Sequence, residues 1–170
     1  MTPAQKIEDL FRPLIGEMAW NVRCGHGSFL TMEFGQPHIA VREPVVASPG
    51  RSDRVRRDLG RRRVFVVGDW HLWIQYSNWK VSFAGYSVDN RNADLRSNEC
   101  LLDLEGQRLV SVEPGPLANA WAFAFDLGGT LEIWSSAEYA ASDDLWSLQR
   151  WNDDIAALRG DGTLVFEKPQ

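Results

Sequence analysis

Cysteine is scarce in this chain of 170 residues: Cys24 and Cys100 are its two, far apart in sequence. A small secreted domain more often carries several pairs, so the count predicts a reducing compartment and two thiols, with a single Cys24–Cys100 bond as the alternative. Long apolar runs are missing too. No stretch approaches the roughly 18 apolar residues of a membrane-spanning helix. Between Met1 and Trp20, Glu8, Asp9 and Glu17 interrupt any apolar core of a signal peptide. These absences predict a cytoplasmic protein with no membrane partner.

Bulk positive charge is also lacking. The formal net charge is −5 and the pI is near 5.2, which disfavours nucleic acid and anionic lipid as partners. Catalytic signatures are absent: there is no Gly-x-Ser-x-Gly elbow, phosphate loop or dinucleotide fingerprint. The histidines are His26, His38 and His71. Cys24-Gly25-His26 offers two soft ligands, but without the Cys-x-x-Cys or His-x-x-x-His spacing of a zinc site. His26 and Ser28, two apart on a glycine-rich turn, do not form a base–nucleophile pair. The sequence therefore assigns no catalytic residue, no metal and no cofactor.

What is present is a 44% apolar composition, enough for the core of one domain spanning 1–170. Thr2, Pro3 and Gln5 form a helix-start signature, and Ile7, Leu10, Phe11, Leu14 and Ile15 make one apolar stripe. Pro13 should loosen the last turn and Gly16 should end it. Period-two patterning follows. Strands are expected in "EMAWNVR", in "SFLTMEFG" with Leu30, Met32 and Phe34 on one side, and in "HIAVREP" up to Pro44.

Residues 47–63 break the pattern with seven arginines and little apolar content, and read as a long basic loop. Residues 64–83 read as an aromatic hairpin turning at Ser77-Asn78. In a straight strand Val64, Val66, Trp70, Leu72, Ile74 and Tyr76 share an apolar face, while Asp69, His71, Trp73 and Gln75 share a mixed one. Gly68 is a candidate bulge that would shift this alternation. Leu95, Leu101, Leu102 and Leu104 suggest a second helix with Gly106 as its C-terminal cap and no defined start, then a strand ending at Pro114. Trp121, Phe123, Phe125 and Leu127 line one face of a hairpin turning at Gly128-Gly129, and Asp161-Gly162 turns the last hairpin. The acid pairs Asp143-Asp144 and Asp153-Asp154 read as solvated turns and caps. No internal repeat is evident. The fold class is α+β: a mostly antiparallel sheet or partly closed barrel of about eight to ten strands, with the N-terminal helix and the second helix.

"GSFLTMEFG", "GDWHLWI" and "FDLGGTLEI" together resemble a family of small uncharacterised bacterial proteins, over Gly27 to Ile133. The resemblance implies a bacterial source and a stand-alone domain, and transfers no activity and no site. By class, an acidic β-rich chain without catalytic motifs also resembles bacterial immunity proteins.

The favoured function is non-catalytic binding through protein–protein contact, immunity-like or defence-associated. The alternatives are a small-molecule-binding barrel or enzyme, and nucleic-acid contact through the Arg51–Arg63 loop. Candidate binding residues are His71 and Trp73 on the mixed face, Trp79 beside the expected turn, and Arg61 and Arg62 in the basic loop.

Overall fold

Thr2 starts the first helix as expected. In this computed structural model, which describes residues 2–25, 29–91 and 101–168, helix α1 spans Pro3–Phe11 and a complete capping box joins Thr2 and Gln5. Pro13 then tightens the chain into a single 3-10 turn over Arg12–Leu14. The buried stripe of α1 ends in Phe11, whose ring meets Phe123 and Trp146 edge to face at 5.1 and 5.2 Å.

Thirteen strands follow among the described residues, all paired antiparallel: β1 Ala19–Cys24, β2 Leu30–Phe34, β3 His38–Arg42, β4 Arg63–Val67, β5 Trp70–Ile74, β6 Asn78–Phe83, β7 Tyr86–Asp89, β8 Leu109–Pro114, β9 Trp121–Phe125, β10 Thr130–Trp134, β11 Asp144–Arg150, β12 Ile155–Arg159 and β13 Leu164–Glu167. One sheet has the order β1-β2-β5-β11-β12-β13 and the second β7-β6-β10-β9-β8, while β3 and β4 form a separate two-stranded ribbon. The inward faces of both large sheets feed one apolar core, including Leu30, Met32, Phe34, Leu72, Ile74, Phe123, Leu131 and Leu148. Among the described residues the arrangement is two sheets sharing a core, with no closed barrel.

The pairing reveals an internal duplication. The Gly16 amide donates to the Leu109 carbonyl at 2.8 Å, and the Gly106 amide to the Ala19 carbonyl at 2.8 Å. The Ala19 amide donates to Gln107, and the Leu109 amide to Glu17. Residues 16, 17 and 19 thus match residues 106, 107 and 109, an offset of 90. Each half enters through a 3-10 turn, lays down three consecutively paired strands, and then crosses to the other sheet. β5 leaves for β6 across residues 75–77, and β10 leaves for β11 across residues 135–143. Trp79 opposite Ile133 in one sheet mirrors Trp146 opposite Ile74 in the other, and both indoles are fully buried. Each half therefore completes the sheet of the other.

Several expectations change accordingly. Residues 64–83 do not form a hairpin: β5 pairs with β2 and β11, whereas β6 pairs with β7 and β10. Val64 and Val66 belong to the ribbon, where they are exposed. The basic segment holds a helix, α2, over Asp53–Leu59, capped by Ser52 and burying no residue. The expected second helix falls mostly on residues outside the described ones, Leu95 and Cys100 among them; Leu101 is helical and a 3-10 turn follows it over Leu102–Leu104. Leu127 is exposed at the tip of the β9–β10 turn and does not join the core face.

The second half passes from β9 to β10 through a short turn, whereas the first half inserts β3, α2 and β4 between β2 and β5. This insertion adds no strand to either large sheet.

Candidate functional site

The insertion rises from a pinched base. Gly68 sits so close to β2 that a Cβ there would overlap the Phe34 carbonyl oxygen. Its amide donates to Glu33 Oε2 at 2.9 Å. The other oxygen of that carboxylate, Oε1, lies 2.7 Å from His71 Nδ1. A carboxylate only accepts, so Nδ1 carries the proton and His71 is left with Nε2 for any further partner. Glu33 is buried; His71 is half-buried.

A second histidine–carboxylate pair stands beside it. His38 Nε2 lies 2.7 Å from Asp69 Oδ1, and the Gln36 amide donates to Asp69 Oδ2 at 2.7 Å. The His38 hydrogen bond, helped by that amide, holds the Asp69 carboxyl below the ordinary carboxylate range. On its ring face His38 stacks with Trp151 at 5.2 Å, with an interplanar angle of 1°. These contacts tie the ribbon to the six-stranded sheet.

Period two decides what the sheet shows to the outside. Leu30, Met32, Leu72, Ile74, Trp146 and Leu148 point into the core. The alternate residues face out in cross-strand rows: Glu33 beside His71 beside Gln149, and then Thr31 beside Trp73 beside Ser147. Trp73 is 38% exposed. Its ring meets Phe29 edge to face at 5.7 Å; Phe29 meets Tyr76 at 5.8 Å, and Tyr76 meets Tyr139 at 5.5 Å. Four aromatic rings thus run on from Trp73, one strand repeat (roughly 7 Å) beyond His71. Tyr76, expected in the core, is 38% exposed because the chain leaves the strand geometry after Ile74.

Among the residues expected to bind, His71 and Trp73 therefore share one open face. Trp79 does not join them: it is fully buried between the sheets and offers no contact surface. Arg61 and Arg62 are exposed but engaged. Arg62 reaches Glu43 through both oxygens of its carboxylate, and Arg61 and Arg63 reach Asp58 at 3.2 Å. Desolvation pushes Asp58 upward, but Arg63, Arg61 and Arg42 together outweigh it and hold the carboxyl below its ordinary value.

No protein-family model, curated protein or solved structure matches this chain. The site must be read from its own chemistry.

Among the described residues no group of three or more histidine, cysteine or acidic side chains converges as a metal site, and His26 lies outside them. Burial pushes the Cys24 thiol up to about 11, which makes it a poor nucleophile at neutral pH. Asp144 is half-buried rather than solvated, and that burial raises its carboxyl despite Arg159 nearby. Among the described residues no helix is long and apolar enough to cross a membrane.

Phe29, Tyr139 and Trp151 escaped the sequence reading as site residues. Phe29 precedes β2, Tyr139 lies in the crossing between sheets, and Trp151 follows β11, so nothing local ties them to β5. Only the pairing of β5 with both β2 and β11 brings them together.

Proposed function

We propose that this chain is a non-catalytic binding protein that engages a partner protein through the outer face of β2, β5 and β11, as an immunity-like or neutralising protein would. The observation that carries the reading is the aromatic group Phe29, Trp73, Tyr76 and Tyr139, with Trp73 and Tyr76 each 38% exposed. Aromatic side chains with polar neighbours dominate the energetics of protein interfaces. Thr31 and Ser147, cross-strand from Trp73, and Gln75, which donates to the Ser147 hydroxyl at 3.2 Å, supply those neighbours. The ribbon adds a flank: Ile39, Val41, Val64 and Val66 share its outer side, each more than half exposed.

The ion pairs of Arg61, Arg62 and Arg63 with Asp58 and Glu43 favour this reading over nucleic-acid contact, because phosphate would have to displace carboxylates already in place. The test is co-expression with the products of the flanking genes, followed by size-exclusion chromatography with light scattering. A complex that Trp73→Ala weakens by about tenfold or more supports the proposal, as expected of an interface hot spot. A chain that stays alone with every neighbour, or a complex indifferent to Trp73→Ala, overturns it.

A further inference from the structure

We propose that the cleft beneath the β3–β4 ribbon binds an uncharged planar nitrogen heterocycle of nucleobase size. This site is separate from the aromatic group around Trp73, and the inference stands whether or not a protein docks there.

The cleft encloses about 440 Å³, within the roughly 300–1,000 Å³ typical of small-molecule sites. Ala40, Phe65 and Val67 on the ribbon's inner side form one wall, and Trp151 contributes to the opposite one. Both aromatic walls are held in place before anything binds. The His38 ring stacks on Trp151, and the Arg63 guanidinium lies 5.2 Å from the Phe65 ring centre. Flat walls of this kind favour a flat occupant.

The polar lining then restricts its chemistry. Both oxygens of Glu33 are used, one by His71 and one by the Gly68 amide. His71 lines the cleft and gives its Nδ1 proton to Glu33, so in the neutral ring Nε2 is an acceptor. Asn21 and Gln149 add side-chain amides, each able to donate and to accept. Among the described lining residues there is no lysine or arginine. The Arg63 guanidinium near the Phe65 ring is already held by Asp58 at 3.2 Å, so a phosphate or carboxylate would lose water next to the Glu33 charge without gaining a free cation. A pure hydrocarbon would leave Nε2 and both amides unpaired. A heterocycle with a ring N–H beside an acceptor satisfies all three.

The experiment is NMR titration of the full-length, 15N-labelled chain with adenine, hypoxanthine and uracil, using adenosine monophosphate and benzoate as charged comparators. At least one base is expected to give saturable shifts of the His71 ring nitrogens and the Gln149 side-chain amide, with a Kd of about 1 mM or tighter. The charged comparators should bind at least about tenfold more weakly. His71→Phe and, as a second variant at the half-buried rim, Gln149→Ala should each weaken binding by about tenfold. No saturable shift from any of the three bases, equal binding of the charged comparators, or binding unchanged in whichever of the two variants folds would overturn the inference.

Discussion

Replacing Glu33 by glutamine changes one atom's chemistry at the base of the ribbon. The carboxylate accepts from His71 Nδ1 at 2.7 Å and from the Gly68 amide at 2.9 Å, inside a side chain that is 4% exposed. A carboxamide can accept only at its oxygen. If that oxygen keeps the Gly68 amide, the NH2 group faces Nδ1 and requires its lone pair, so His71 must move its proton to Nε2. One charge-assisted hydrogen bond, worth roughly 1.5–3 kcal/mol, becomes an ordinary one worth about 1 kcal/mol, and the second loses its charge assistance. His71 is half-buried, so water recovers part of that difference, leaving a net loss of about 1–2 kcal/mol. At roughly 2–4 °C per kcal/mol for a chain of this size, the melting temperature should fall by about 2–8 °C. Urea unfolding measures the free energy, and the 15N shifts of His71 report the tautomer. A loss below about 0.5 kcal/mol with the proton still on Nδ1 would refute the assignment of Glu33 as the group that fixes this ring.

Three further outcomes follow from the same structure. Trp79→Ala and Trp146→Ala should each cost about 3–5 kcal/mol in urea unfolding, being the matched buried indoles of the two halves, whereas Trp73→Ala should cost under about 1 kcal/mol. Asp69 is held below its ordinary value of 3.8 chiefly by His38, so its contribution to stability is complete above that value and lost as pH falls through the lowered folded value; the stability gap between wild type and Asp69→Asn should accordingly close in acid denaturation below about pH 4. Because β6 and β7 complete the sheet of the second half while β11 to β13 complete that of the first, residues 1–91 and 101–170 expressed separately should each fail to show cooperative melting. Mixed, they should regain a strand-rich circular-dichroism spectrum and a single transition; two halves that each melt cooperatively alone would contradict the strand exchange.

Local signals were legible wherever they coincided with local pairing. The capping box of α1 and the β9–β10 and β12–β13 hairpins could be read because their partners lie a few residues away. The β5–β6 hairpin was misread for the converse reason. Ser77 and Asn78 have the composition of a turn, but the chain there changes sheet, and only the distant partners Trp146 and Ile133 reveal it. Helix α2 had its cap at Ser52, an acid at Asp53 and arginines in its last turn, but buries no residue and so had no apolar stripe to betray it. The duplication stayed hidden because few of its matched positions keep one residue type, Leu14 with Leu104 and Gly16 with Gly106 among them, and because the insertion between β2 and β5 disrupts the spacing. At the site, the face shared by His71 and Trp73 was legible from period two alone. The burial of Trp79 was not, since it depends on a second sheet lying above the first.

The most direct measurement is 19F NMR of the chain labelled with 5-fluorotryptophan, with a soluble gadolinium chelate present, before and after adding a partner found by co-expression. Before addition, the Trp73 resonance should broaden and those of Trp79 and Trp146 should not. On binding, the Trp73 resonance should shift and become shielded. A complex that leaves Trp73 as accessible as before would place the contact elsewhere and contradict the account.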